Sequence, residues 1–127
     1  MPSTELLAAL SARAGDIDPS IIEGVRRLSA LFTVGRQALK GDYLAEPDLR
    51  RAYLLYFFPV NLAKVAGLLE EMPPLPSRAL RVLDLGSGPG AASWAVLDYI
   101  AGRGGPAHTG SEVIALDRSR AALHEAA

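Results

Sequence analysis

The chain has 127 residues, half of them hydrophobic and about a fifth charged, which suits one ordinary domain that is globular rather than disordered. Thirteen basic residues against 14 acidic ones leave a net charge of −1, so no bulk attraction to nucleic acid or to an anionic membrane follows. Cysteine is absent, which excludes disulfides and thiolate metal sites, and His108 and His124 stand in no metal-ligand spacing.

No metal is therefore expected. His108, in a glycine-rich loop, and His124, near the C-terminus, read as surface residues. The longest apolar run, Ala52 to Val60, is too short to cross a bilayer. The opening residues, with Glu5, Arg13 and Asp16, make neither a secretory signal nor a transit peptide. A cytoplasmic protein without a membrane partner is the expectation. Arg26, Arg27, Arg36 and Lys40 lie close in sequence, as do Arg50 and Arg51; both groups read as solvated helix faces.

In chain order, Ser3 caps a helix over Thr4 to Ala14, with Leu6, Leu7 and Leu10 on its apolar face and Gly15 ending it. Asp18-Pro19 is an N-cap followed by proline at the first helical position. The helix it opens sets Ile21, Ile22, Val25, Leu28, Leu31 and Phe32 opposite Glu23, Arg26 and Arg27, and Gly35 ends or loosens it. Gly41 breaks a short piece. Pro47 opens a third helical stretch through Leu49, Tyr53, Leu54 and Phe57, which Pro59 should kink or interrupt before a helix resumes from Asn61 to Glu71. The aromatics Tyr53, Tyr56, Phe57 and Phe58 read first as packing and second as a hold for an adenine ring.

Pro73-Pro74-Leu75-Pro76-Ser77 then reads as an extended connector, because its prolines lack backbone donors. It divides the chain into a helical domain, 1–76, and a β-α-β segment, 77–127. Leu80 to Leu85 is an apolar run ending in a glycine turn, the pattern of a parallel strand covered on both faces. Pro89 to Gly102 reads as a helix, 103–110 as a flexible loop and Glu112 to Leu116 as a second strand ending at Asp117. Ser119 caps a last helix.

The glycine turn carries chemistry. Gly86 lets the chain leave the strand sharply, and Gly88 removes a side chain where a ligand lies against the backbone. Gly90 and Ala91 let the following helix pack close to the strand, and its N-terminus offers free N–H groups. The spacing Gly86-x-Gly88-x-x-Ala91 also satisfies the dinucleotide fingerprint, so the glycines alone leave two ligands open. Asp84 tilts the choice. A carboxylate at the strand end repels a diphosphate and attracts the sulfonium and amino group of S-adenosylmethionine. Asp117 ends the second strand where its oxygens can take both ribose hydroxyls, a feature that both ligands share.

Val82-Leu83-Asp84-Leu85-Gly86-Ser87-Gly88-Pro89-Gly90 resembles the first motif of class I S-adenosylmethionine-dependent methyltransferases. Val113-Ile114-Ala115-Leu116-Asp117 resembles their second. The resemblance implies a Rossmann-like sheet, here its first β-α-β part only, following an N-terminal helical domain. It implies a cofactor site of Asp84, Gly86, Ser87, Gly88, Gly90 and Asp117. The glycines would line the methionine part, Asp117 would hold the ribose, and Asp84 would sit near the amino group through water.

Residues 45 to 120, with Arg51-Ala52-Tyr53-Leu54-Leu55-Tyr56-Phe57-Phe58-Pro59-Val60-Asn61 and Trp94, are similar to the mitochondrial small-ribosomal-subunit methyltransferase-like family. That family implies rRNA methylation or a part in small-subunit assembly, with RNA or the small subunit as partner. Its downstream metal-binding cysteines have no counterpart here.

The expected function is methyl transfer from S-adenosylmethionine, leaving S-adenosylhomocysteine, with no catalytic residue assigned. A cofactor-binding assembly or RNA-binding factor without catalysis, and a fragment of an NAD-dependent oxidoreductase, are the alternatives. The later strands of such a sheet, with the adenine-binding acid and the catalytic residues, are absent. The expectation is therefore part of a longer protein, inactive alone, or a homo-oligomer that covers the exposed sheet edges.

Overall fold

The computed structural model describes residues 1–35 and 41–127. The fold is α/β in the coarse sense: 62% helix, with one small parallel sheet of two strands among the described residues.

Local chemistry sets most helix ends. The Ser3 hydroxyl accepts from Leu6 N at 3.3 Å and opens α1 (Thr4–Ala14). Gly15, at φ +74°, ends it. The Asp18 carboxylate accepts from Ser20 N and Ile21 N and opens α2 (Pro19–Phe32), with Pro19 in the first turn. The Gly35 N–H folds back onto the Ala30 carbonyl at 2.8 Å. A single 3-10 turn, Tyr43–Ala45, leads into α3 (Pro47–Ala52).

Pro59 does not break the chain's longest helix. Between α3 and α4 (Phe58–Glu71) lies a π turn, Tyr53–Phe57, in which Phe58 N donates to the Tyr53 carbonyl five residues back. A proline lacks its own donor and its ring clashes with the carbonyl four residues earlier. The wider π turn just before Pro59 provides the local adjustment that lets the helix run on. Pro47–Glu71 is thereby one helical stretch of 25 residues, long and apolar enough by those measures to cross a bilayer. One side of it is spent inside this fold, where Leu49, Ala52, Leu54, Phe58, Leu62 and Ala66 are buried.

Residues 73–80 hold no helix or strand. β1 (Arg81–Leu85) and β2 (Glu112–Leu116) pair in parallel, in the register Arg81 to Glu112, Leu83 to Ile114 and Leu85 to Leu116. They are joined through α5 (Ala91–Arg103), and Ser119 caps α6 (Arg120–Ala126) by accepting from Ala122 N at 3.1 Å.

Two apolar clusters hold the molecule. One joins Ala14, Leu54, Phe58 and Leu62 to Ala91 and Ala95 of α5, so residues from both sides of the proline connector share it. The other holds Leu28, Leu49 and Ala52, with Phe32, Tyr43, Tyr53 and Phe57 against it. Gly24 makes the second possible, because a Cβ there would meet the Ala52 Cβ at 2.7 Å and the Asp48 carbonyl at 3.2 Å. The C-terminal helix is fastened to the helical part by Glu125, which pairs with Arg13 at 3.0 Å and Arg50 at 3.1 Å, and to α5 by Trp94 Nε1, which donates to the Ala126 carbonyl at 3.1 Å.

Three expectations need correction. The strands are not covered on both faces. Their inner positions, Val82, Asp84, Val113 and Ala115, are half-buried, while Leu83, Leu85, Ile114 and Leu116 are 56, 69, 44 and 56% exposed. Gly90 does not serve contact between α5 and the strand. A Cβ there would meet Ala126 at 2.9 Å, so the glycine admits α6. His108 is not a plain surface residue. The 3-10 turn Pro106–His108 tucks its ring in, and both ring nitrogens are buried with no hydrogen-bond partner among the described residues. His124 is exposed.

Candidate cofactor site

β1 delivers the chain into a turn whose three glycines all take positive φ: Gly86 at +70°, Gly88 at +53° and Gly90 at +90°. A side chain is strained in that region, which is why this turn is built from glycine. The turn is tied to β2: Gly86 N and Ser87 N both donate to the Leu116 carbonyl, at 2.7 and 3.1 Å.

Asp117, one residue beyond β2, closes the other side. Its Oδ2 accepts from Gly88 N at 2.8 Å and its Oδ1 from Ser119 N at 2.7 Å. A carboxylate has about four acceptor positions, so these two bonds fix its orientation without exhausting it.

Gly86, Gly88 and Asp117 meet in a recess of about 150 Å³. A Cβ on Gly86 or Gly88 would meet nothing within 4 Å, so the missing side chains leave open space rather than admit a neighbouring element. The far wall comes from the helical part: Asp42, Tyr43 and Leu44 from the 3-10 turn, and Tyr53 from the start of the π turn. Pro89, Arg118 and Ser119 complete the rim.

The other sequence-derived site residues stand elsewhere. Asp84 is half-buried, and its Oδ2 accepts from Ser93 N at 3.0 Å and Ser93 Oγ at 2.6 Å. It thus caps the first turn of α5, which Gly90, in the left-handed conformation and without a side chain, cannot do. Ser87 is buried and Gly90 is packed under α6; neither lines the recess. Of the six residues read from the sequence, three converge on one cavity, and Asp84 instead caps the helix that follows the glycine turn.

The tyrosines are what the motif did not announce. Burial is the largest cause that pushes both hydroxyls above their usual titration range, and the Asp117 carboxylate adds to it in each case. Both phenols stay protonated at neutral pH beside that acid. Tyr53 belongs to the aromatic group of the sequence; Tyr43, after the break at Gly41, carried no signal of its own.

The arginine groups do not form a free basic patch among the described residues. Arg27 holds Glu46 through both terminal nitrogens, at 2.6 and 2.9 Å. Arg50 is bound to Glu125 and to the Leu44 and Ala45 carbonyls, and Arg51 to the Asp16 carbonyl. Arg36 and Lys40 lie outside the described residues. Among the described residues no group of acids and histidines could hold a metal ion.

Comparison with protein-family models, with curated proteins and with solved structures finds no match.

Proposed function

We propose that the chain carries the floor of an S-adenosylmethionine site, built on the opening β-α-β of a Rossmann-like sheet, and that the protein is a methyltransferase. The observation that carries this reading is the meeting of Gly86, Gly88 and Asp117 on one open recess. Whole small-molecule pockets measure roughly 300–1,000 Å³. About 150 Å³ therefore suits one end of such a ligand, the ribose side next to Asp117. The balance of charge favours this ligand over a dinucleotide. Among the described residues, the charged groups on the recess are Asp42, Asp117 and Arg118, and two acids there oppose a diphosphate.

The bound cofactor would supply a methyl group on a positively charged sulfur. The chain's part is to hold the ribose at Asp117, to keep side chains away at Gly86 and Gly88, and to orient acceptor and methyl for displacement. No residue is assigned as a general base. RNA as acceptor, through a ribosomal small-subunit family, rests on the sequence resemblance alone.

The test is incubation with S-adenosylmethionine labelled in its methyl group and with small-subunit rRNA. Label in the RNA supports the transferase. Cofactor bound without transfer supports an assembly or RNA-binding factor that keeps the pocket.

We also propose that two copies associate through the uncovered sheet face. A two-fold axis along the strands would lay Arg81 of one copy over Glu112 of the second, Leu83 over Ile114 and Leu85 over Leu116. Charge would thus meet opposite charge and apolar side chains would meet apolar ones.

A further inference from the structure

Tyr53 stands at the junction of three features: the recess, the aromatic cluster and the π turn. Its hydroxyl oxygen accepts a hydrogen bond from Asn61 Nδ2 at 3.3 Å. A phenol that accepts from an amide still has its own proton to give. Its ring is fixed on the other side by Phe32, edge-on at 6.4 Å between centroids, and by Phe57 at 5.8 Å. Phe32 also packs edge-on against Tyr43 at 5.7 Å, so both recess tyrosines rest on one aromatic support. A ring held in this way loses little freedom when a ligand arrives.

The chemistry of the opposite wall is complementary. Asp117 can only accept, and a ribose hydroxyl both donates and accepts. A hydroxyl that gives its proton to Asp117 needs a donor for its oxygen, and Tyr53, which lines the same recess, carries one.

We propose that the helical layer is part of the ligand site, with Tyr53 donating a hydrogen bond to a ribose hydroxyl of the bound nucleoside and Asn61 acting as its positioning residue. This rests on the adenosyl reading of the recess. It assigns to the first half of the chain a role in ligand selection: the site accepts a nucleoside with free hydroxyls and disfavours one without them.

Calorimetry with S-adenosylhomocysteine, adenosine and 2′,3′-dideoxyadenosine tests it, on wild type, Tyr53→Phe, Asn61→Ala, Asp117→Ala and Tyr56→Phe. Tyr56 is exposed and packs on Phe57 outside the recess, so its variant is the control. One hydrogen bond of this kind is worth a factor of about 3–10. Tyr53→Phe should weaken S-adenosylhomocysteine and adenosine by that factor and leave the weak dideoxyadenosine binding unchanged. Asn61→Ala should show a smaller loss that disappears in the Tyr53→Phe background, and Tyr56→Phe should bind as wild type does. Thermal melting of each variant checks that the fold is kept. Wild-type affinity in Tyr53→Phe, with binding lost in Asp117→Ala, overturns the role of Tyr53 and leaves the adenosyl reading standing. No binding of either adenosyl probe to wild type overturns both.

Discussion

The helical layer and the two-stranded sheet solve the burial problem to different degrees. In the helical layer the main apolar faces pack on one another: α2 meets α3 across Gly24, and Phe58 of α4 is 1% exposed in a cluster with Ala14 of α1 and Ala91 and Ala95 of α5. The sheet buries only one face, and its outer leucines and isoleucine stand in solvent. Contiguous exposed apolar surface of this kind marks an interaction site more often than an accident. The recess lies where the two layers meet, with the glycine turn from the sheet and both tyrosines from the helices.

That contrast can be broken experimentally, and the largest effect should fall in the helical layer. Phe58→Ala removes the largest fully buried side chain from the cluster shared by both parts and should cost about 3–5 kcal/mol, read from urea unfolding. A cost below about 1 kcal/mol would mean that the two parts do not share a core. Asp84→Ala should cost about 2 kcal/mol, because Ser93 loses two hydrogen bonds to a charged acceptor at the start of α5. Gly24→Ala gains helix propensity but forces the Ala52 Cβ contact apart, and a net loss of roughly 1–2 kcal/mol is expected in the same measurement.

On the exposed sheet face the same size of change should hardly move monomer stability. Leu85→Glu should alter it by at most about 0.5 kcal/mol, yet convert a dimer to a monomer in sedimentation velocity. A wild-type monomer at all concentrations would overturn self-association and leave the face to a different polypeptide.

The smallest effect is electrostatic. Asp18 titrates below its ordinary 3.8, chiefly through the Ser20 hydroxyl; Glu46 and Glu70 titrate below their ordinary 4.5 through Arg27 and the N-terminal amine respectively. Their contribution is therefore complete above those ordinary values and lost as pH falls through the lowered ones. All three are exposed, so melting temperature should drop only slightly between pH 5 and pH 3 on their account. Asp18→Asn should flatten part of that drop.

Much of the architecture was legible in the sequence because it is local. Ser3, Asp18-Pro19 and Ser119 cap the helices that they announce, and both strands lie where the apolar runs placed them. What escaped was set by distant partners. The π turn that absorbs Pro59 is a backbone adjustment that no residue type encodes. Gly90 resembles a ligand glycine in sequence and turns out to make room for Ala126, 36 positions later. The strands read as covered because a run of leucine and valine cannot say whether a second layer exists. At the recess, Gly86, Gly88 and Asp117 were visible through their spacing, while Tyr43 and Tyr53 arrive through tertiary packing.

The proposed role of the recess is to take an adenosyl ligand through Asp117. Calorimetric titration of the chain with S-adenosylhomocysteine and, separately, with NAD tests it most directly. Saturable binding of S-adenosylhomocysteine is expected to fall at least about tenfold in Asp117→Ala, a change of about 1.4 kcal/mol, with no binding of NAD. Binding of NAD with no response to S-adenosylhomocysteine would contradict it.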